Sequence, residues 1–401
     1  MRPTVEILSQ GDEIIEGVVT DTNSAWLSQA LVDLGYQVIR HTTIGDDLDG
    51  LVTAFQEIAN RADLCISTGG LGPTMDDLTA EAIAKAFARP LRLDEQALEQ
   101  IEAWFKRSER PMPEVNRRQA LLPEGASRID NQWGTAPGFS LTAGQCQFIC
   151  LPGVPREMKP MFENGLRERL RQGPQNKPDT RMVFHTIGMG ESALQERLAT
   201  LDLPEGGKLG FRAKGTENEV KVTLPAETSG EALRSLESEI RKLIGDALFE
   251  VSINGNGASG MVDWVASQLQ RKGLKIMLHE SLSQGALSVA LSRFGVLSRA
   301  EIHPEAQTRL DIESDEVLER TLQSSADHFL RLKTVDAIII QRWSPLEDRG
   351  NSAFPAVTLW TYAATEQASR FTQRQIHGTP ERLQEAATLW GLDGLRHLLI
   401  D

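Results

Sequence analysis

The sequence predicts an α/β chain of three domains. Strand-like and helix-like runs alternate along its first part, the strand-like runs end in glycine and carboxylate residues, and two polar Pro/Gly-bearing stretches interrupt the chain. Alternating strands and helices imply right-handed crossovers and a parallel, doubly wound sheet. A length of 401 residues accommodates two or three domains, and 40% hydrophobic residues permit sizeable cores. The net charge of −14 argues against a nucleic-acid role, which draws on surplus Lys and Arg. No apolar run approaches a membrane span, and the N-terminus lacks a secretion pattern. Three cysteines, an odd number, suggest a reducing cytoplasm rather than a disulfide framework.

Residues 4–8 alternate as a strand and run into Ser9-Gln10-Gly11-Asp12-Glu13. Asp21-Thr22-Asn23 reads as a helix start, followed by Ala25, Trp26, Ala30, Leu31 and Leu34 at helical spacing up to Gly35. Residues 36–43 form a second strand ending in Ile44-Gly45-Asp46-Asp47. Leu51, Phe55 and Ile58 mark a second helix, and residues 64–68 a third strand. That strand opens into Gly69-Gly70-Leu71-Gly72-Pro73-Thr74, with Asp76, Asp77 and Thr79 just beyond.

Ligands of such sheets bind beyond the carboxyl ends of the strands. Three of these ends carry acid: Asp12 and Glu13, Asp46 and Asp47, Asp76 and Asp77. One pair alone reads equally well as a helix N-terminal charge favoured by the dipole. Three pairs beside a Gly-Gly-x-Gly turn point to a metal–phosphate site. Backbone N–H groups of the turn grip an anion, and carboxylates hold a divalent cation against it. The spacing fits neither the dinucleotide fingerprint nor a P-loop. Further on, Asn116-Arg117-Arg118-Gln119 is either a solvated face or a phosphate contact. Residues 131–138 hold another glycine turn, with Gly134 and Thr135. A strand at 147–151 runs into Pro152-Gly153-Val154-Pro155-Arg156-Glu157-Met158, where prolines flanking glycine fix a rigid turn. Cys146 and Cys150 share one strand face and read as core.

These motifs together resemble the CinA family, whose first domain is similar to the MogA/MoaB-type molybdopterin-binding domain. The match runs through Gly11 to Glu13, Gly17, Asp21 to Asn23, Gly45-Asp46, the 69–79 loop, Asn116 to Ala120, Gly134 to Ala136 and Leu151 to Met158. Asp12 stands where a threonine is more usual. The resemblance implies three domains: residues 1–170 of MogA/MoaB type, 175–252 a KH-like connector, and 256–401 a deamidase-like domain. It implies metal-dependent hydrolysis of ADP-ribose to AMP and ribose 5-phosphate, with a small-molecule nucleotide as partner and a homodimer as assembly. Asp46 and Asp77 fall where the family's catalytic aspartates would, and a divalent metal ion would sit on Asp46, Asp76 and Asp77. Substrate contacts would fall to Gly11, Asp12, Glu13, Asn23, Gly69, Gly70, Leu71, Gly72, Pro73, Thr74, Asn116, Arg117, Gly134, Thr135, Pro152, Gly153 and Pro155. In chemical terms a metal can activate water and polarise a phosphoryl oxygen, while N–H groups at 69–72 stabilise developing charge.

The stretch Arg171 to Thr180 marks the first boundary, and residues 182–251 read β-α-β-β-α-β. Within it Ile187-Gly188-Met189-Gly190-Glu191 lacks the basic Gly-x-x-Gly clamp of an RNA-binding KH fold, so the module reads as a structural connector. The second boundary is Gly255 to Gly260; beyond it lie a strand at 274–278, buried-strand runs at 337–341 and 356–362, and a helix at 379–400. In the family this position holds a nicotinamide mononucleotide deamidase with the segment Ala-Glu-Ser-Cys-Thr-Gly-Gly. Here it reads His279-Glu280-Ser281-Leu282-Ser283-Gln284-Gly285. The family's Tyr-Ser-Asn-Glu-Ala-Lys aligns with Ile302-His303-Pro304-Glu305-Ala306-Gln307, without Tyr or Lys. Its glycine-rich loop appears as Gln341-Arg342-Trp343-Ser344-Pro345, without glycine. Ser281 is therefore expected to mark a degenerate deamidase site: a serine without a base is a poor nucleophile, and a helix cap is an equal reading. Two alternatives stand beside the pyrophosphatase: a surviving nicotinamide mononucleotide deamidase, and a non-catalytic nucleotide- or molybdopterin-binding protein.

Overall fold

A computed structural model describes residues 2–172, 177–303, 314–346 and 355–400. The chain forms two compact units, Met1–Asp179 and Thr180–Asp401.

The first unit begins with β1 (Thr4–Gln10), α1 (Asp12–Ile15), α2 (Thr22–Asp33), β2 (Gln37–Ile44), α3 (Leu48–Ala59), β3 (Leu64–Thr68) and α4 (Thr79–Ala86). It continues with β4 (Leu91–Leu93), α5 (Glu95–Arg107), β5 (Leu121–Pro123), β6 (Ser127–Ile129), β7 (Gly138–Ala143), β8 (Cys146–Leu151), α6 (Pro155–Met161) and α7 (Arg167–Arg171). Two helices start where an aspartate satisfies free N–H groups: Asp21 caps α2 through Ser24, and Asp47 caps α3 through Asp49 and Gly50. Asp47 thus follows the cap reading of its acidic pair.

The main sheet runs β2-β1-β3-β8-β7-β6. Strands β2, β1, β3 and β8 are parallel, while β7 and β6 run antiparallel. The first three strands are parallel as expected, and beyond β8 the sheet becomes mixed, because Gly144-Gln145 leaves room only for a hairpin between β7 and β8 and not for a crossover. Alternate strand residues face opposite layers. Leu8, Cys65, Phe148 and Cys150 pack with Leu51, Phe55 and Ile58 of α3 and Ile83 of α4. Val5, Ile7, Ile66 and Ile149 pack with Leu27 and Leu31 of α2 and Met158 of α6. With helices on both faces, every parallel strand ends in the same direction, and the site lies there. Cys65, Cys146 and Cys150 are buried free thiols of this core, and burial pushes all three up.

The second unit carries β9 (Thr180–Ile187), α8 (Glu191–Arg197), β10 (Lys208–Lys214), β11 (Glu217–Leu224), α9 (Gly230–Ile244) and β12 (Leu248–Ile253). The order of these elements is the expected β-α-β-β-α-β, in a sheet ordered β10-β11-β9-β12. Then come α10 (Met261–Lys272), β13 (Ile276–Glu280), α11 (Ala286–Ser292), β14 (Leu297–Ile302) and α12 (Asp315–Arg331). The chain ends with β15 (Ala337–Pro345), β16 (Ala356–Thr365), β17 (Ser369–His377) and α13 (Pro380–Leu399). This second sheet runs β14-β13-β15-β16-β17. Helix α13 packs Leu389, Leu392 and Leu395 beside Val265 and Leu269 of α10 and Ile276 and Ile339 of the sheet. Its buried Arg396 donates to Asp246 O at 2.8 Å and Leu248 O at 3.3 Å, which fastens α13 to the start of β12.

Candidate active site at the strand ends of the first unit

Gln10 ends β1 as a buried amide, and the site is assembled on it. Its Nε2 donates to Asp46 Oδ1 at 2.7 Å and to Asp76 O at 2.9 Å. Its Oε1 accepts from Thr79 Oγ1 at 2.6 Å. One side chain therefore joins the ends of β1 and β2 to the glycine loop after β3. Asp46 is fixed from its other side by Asp12, whose N–H reaches Asp46 Oδ2 at 3.3 Å and whose Oδ1 accepts from Asp46 N at 2.9 Å.

The glycine loop is shaped by Asp77. Its Oδ1 accepts from Gly72 N at 2.7 Å, and its Oδ2 from Thr74 N at 2.8 Å and from the Thr74 hydroxyl at 2.5 Å. A carboxylate receiving charge-assisted bonds from its own loop is a rigid brace. Gly70 has φ +63°, and a Cβ there would lie 1.8 Å from Gln10 Oε1, so only glycine lets the loop cross Gln10. Arg118 supports the loop from behind, donating to Thr74 O at 2.8 Å and to Asp77 O at 3.1 Å.

The third wall is the proline turn before α6. Asn23 donates to Gly153 O at 2.7 Å and to Thr68 Oγ1 at 3.1 Å, tying α2 to that turn and to β3. Asn23 Oδ1 is buried without a partner on the cavity wall, an acceptor open to a ligand hydroxyl or amide. Glu157, in the first turn of α6, is buried and accepts from Asn131 Nδ2 at 2.8 Å. A Cβ on Gly134 would lie 1.8 Å from Glu157 Oε2, so Gly134 makes room for this carboxylate. Burial pushes Glu157 above the usual carboxylate range, against the bond from Asn131 and the nearby Arg156 charge.

These walls enclose a cavity of about 540 Å³. That is within the range of about 300–1,000 Å³ typical of small-ligand sites. Of the residues expected from sequence, Gly11, Glu13, Asn23, Asp46, Gly69, Gly70, Leu71, Gly72, Pro73, Asp76, Asp77, Thr135, Pro152, Gly153 and Pro155 line it. Asp12, Thr74 and Gly134 stand behind the wall as braces or spacers. Asn116 is buried and bonds Gln119 Oε1 at 2.9 Å; Gln119 in turn lines the cavity. Arg117 is exposed, and its neighbour Arg118 is the arginine that meets the loop. Sequence reasoning missed Gln10, Asp21, Thr68, Gln119 and Glu157 as lining residues. A polar residue closing a buried strand, as Gln10 does, and an acid following a proline turn, as Glu157 does, were the signals available.

The donors offered to a metal are hard carboxylate oxygens. Among the described residues, Asp46, Asp76 and Asp77 do not gather as a three-ligand cluster. The set fits a cation of the Mg²⁺ class, which one or two carboxylates hold together with substrate phosphates and water. It does not fit an all-protein cage.

In the second unit Ser281 is fully buried, and its hydroxyl donates to Gln341 O at 3.2 Å. The buried Glu280 accepts from Ser283 Oγ at 2.7 Å and from the N–H groups of Gly285 at 3.1 Å, Leu287 at 3.1 Å and Ser288 at 2.7 Å. Glu280 is thereby committed to the N-terminus of α11. Where a glycine-rich loop was expected to have degenerated, β15 continues as a strand, pairing Gln341 with Thr361 and Pro345 with Val357. The aligned positions 304–307 lie outside the described residues. Among the described helices none is long and apolar enough to cross a membrane.

Known proteins share this layout. Residues 6–172 match the family described as "Probable molybdopterin binding domain", and residues 181–249 match "Damage-inducible protein CinA KH domain". A "CinA-like protein" of Escherichia coli O9:H4 (strain HS) is 37% identical over 333 residues, covering 82% of this chain and 80% of the relative. The "NMN amidohydrolase-like protein YfaY" of Escherichia coli (strain K12) is 37% identical over the same 333 residues and the same shares of both chains. Among solved structures, the protein CinA from Thermoplasma acidophilum is 35% identical, with 42% of this chain and 98% of that chain covered and a TM-score of 0.39. With both domain families in the expected order and relatives 37% identical over 82% of the chain, the chain belongs to the CinA family.

Proposed function

We propose that the cavity of the first unit hydrolyses the pyrophosphate bond of a nucleotide, with ADP-ribose as substrate and AMP and ribose 5-phosphate as products. One observation carries this reading: the Gly69–Pro73 turn, Asp46, Asp76, Asp77 and the Pro152–Pro155 turn face a single cavity at the strand ends. Of the turn's backbone N–H groups, Gly69 and Gly72 give theirs to Leu151 O and Asp77 Oδ1, which leaves those of Gly70 and Leu71 for a phosphate, while the unpaired Asn23 Oδ1 offers an acceptor to a sugar hydroxyl. Asp46 or Asp76, together with substrate phosphates, would hold a divalent metal, which when bound neutralises phosphate charge and acidifies water. Water adds to one phosphorus, the bridging P–O bond breaks, and the bridging oxygen leaves with the other phosphate. Glu157 is the general-base candidate for the water proton, since its raised affinity for protons brings it nearer the operating pH.

A second reading, deamidation of nicotinamide mononucleotide at Ser281, is favoured by the name of the K12 relative, an NMN amidohydrolase-like protein. Against it, Ser281 Oγ is bound to a backbone carbonyl and is fully buried. The two separate in one experiment. Pure protein is incubated with ADP-ribose or with nicotinamide mononucleotide, with and without Mg²⁺ or Mn²⁺, and the products are resolved by anion-exchange chromatography. AMP and ribose 5-phosphate appearing only with metal is the expected result. Nicotinate mononucleotide alone, or no AMP under any condition, contradicts the proposal.

A further inference from the structure

The second unit holds a cluster that none of this chemistry uses. His279 lies on β13, and the parallel register sets Glu301 of β14 beside it. His303 follows two residues after Glu301, and its N–H continues the ladder by bonding Glu280 O at 2.9 Å. Residues i and i+2 of a strand share a face, so the strand pairing itself brings His279, Glu301 and His303 together. Each contributes one potential ligand atom, and the three atoms lie within 4.8 Å of one another.

The spacing is informative. His279 Nε2 stands 3.3 Å from Glu301 Oε2, and His303 Nε2 stands 3.7 Å from the same oxygen. Ligands bound at about 2.0–2.1 Å to a tetrahedral Zn²⁺ lie roughly 3.3–3.4 Å apart along each edge. Yet His279 Nε2 is a buried nitrogen without a hydrogen bond, so its approach to Glu301 is not hydrogen-bonded. A buried polar atom left unpaired calls for a partner.

The surroundings add an outer shell and an opening. Arg299 Nη2 holds Glu301 Oε1 at 2.6 Å, leaving Oε2 turned to the histidines. Phe329 of α12 packs 5.6 Å from the His279 ring, centroid to centroid, and closes the inner side. The His303 side chain is 53% exposed, so the outer side is open to solvent.

We infer that His279, Glu301 and His303 form a binding site for a borderline divalent transition metal of the Zn²⁺ class, with three protein ligands and one position left to water. Two imidazoles and one carboxylate select this class over Mg²⁺, whose sites are built of oxygen. The site is chemically distinct from the carboxylate cavity of the first unit and independent of the activity proposed there.

The test uses the full-length untagged protein, stripped with chelator and titrated with Zn²⁺ by calorimetry, and with Co²⁺ by visible absorption. Expected are one Zn²⁺ per chain that excess Mg²⁺ does not displace, and the intense d–d bands of tetrahedral Co²⁺. His303→Ala, an exposed change that leaves the fold intact by circular dichroism, weakens Zn²⁺ binding by more than the roughly 10–100-fold seen when outer-shell partners are removed. Glu301→Gln does the same, with Mg²⁺ kept in excess so that the carboxylate cavity of the first unit does not contribute to the isotherm. No Zn²⁺ bound by the wild type, or the same isotherm and Co²⁺ spectrum in His303→Ala and Glu301→Gln as in the wild type, overturns the site.

Discussion

Gln10 shows how much of the site rests on one amide. It bonds a carboxylate from the end of β2, a carbonyl of the glycine loop and the hydroxyl that opens α4. Gln10→Ala removes these bonds while Thr79 Oγ1 keeps Gly69 O at 2.9 Å and Asp46 keeps the N–H of Asp12 at 3.3 Å, at a cost of about 0.5–1.5 kcal/mol for each bond lost. Turnover of ADP-ribose should fall about 100-fold, the scale of a 1 Å misplacement of reacting groups, measured by initial rates at saturating metal. Glu157 gives a second prediction. Its folded-state proton affinity is raised, so the carboxylate form is reached only at a pH above the usual glutamate range. As general base it makes kcat/KM rise with pH across that raised interval, and Glu157→Gln removes the rise while lowering the plateau by about 10²–10⁴. An acid limb unchanged in Glu157→Gln would assign the base elsewhere. Much of this site was legible as sequence, because glycine loops and acid pairs are local signals. Gln10 and Glu157 were harder to read: their roles depend on which strand ends meet, and that is a property of the sheet order.

At the scale of elements, α11 illustrates a motif that has kept its letters and changed its work. Glu280 and Ser281 match the family segment, yet Glu280 now satisfies the first N–H groups of α11, and Ser281 is sealed under Gln341. Glu280→Ala strands the amides of Gly285, Leu287 and Ser288 in the interior, so the second unit should lose on the order of 3 kcal/mol, read from its urea midpoint. Strand and helix positions in the first part follow the sequence expectation closely, since the strands alternate and α2, α3 and α5 each open on a capping aspartate. The extended β15 did not: Gln341 to Pro345 looked like the remains of a loop, and pairing with β16 made it strand. Tertiary pairing decides such short runs more than intrinsic preference does. The hairpin of β7 and β8 adds antiparallel strands at one edge of the parallel sheet that the first three strand–helix units announced.

The whole molecule consists of two units with separate cores, so the pyrophosphatase reading places all required side chains within Met1–Asp179. A fragment ending at Asp179 should therefore retain ADP-ribose hydrolysis within about threefold of the full chain, checked by initial rates at equal molar concentration. Loss of activity in a fragment shown to be folded would mean that the second unit contributes to the reaction. The central claim is that this family member works at the strand ends of the first unit and not at Ser281. It is tested most directly by comparing kcat/KM for ADP-ribose in Asp46→Asn and Ser281→Ala, with metal present. The account predicts a loss of at least about a hundredfold in Asp46→Asn, on the scale of removing a group that stabilises the transition state, and wild-type values in Ser281→Ala. Full activity in Asp46→Asn, or activity abolished in Ser281→Ala, would contradict it.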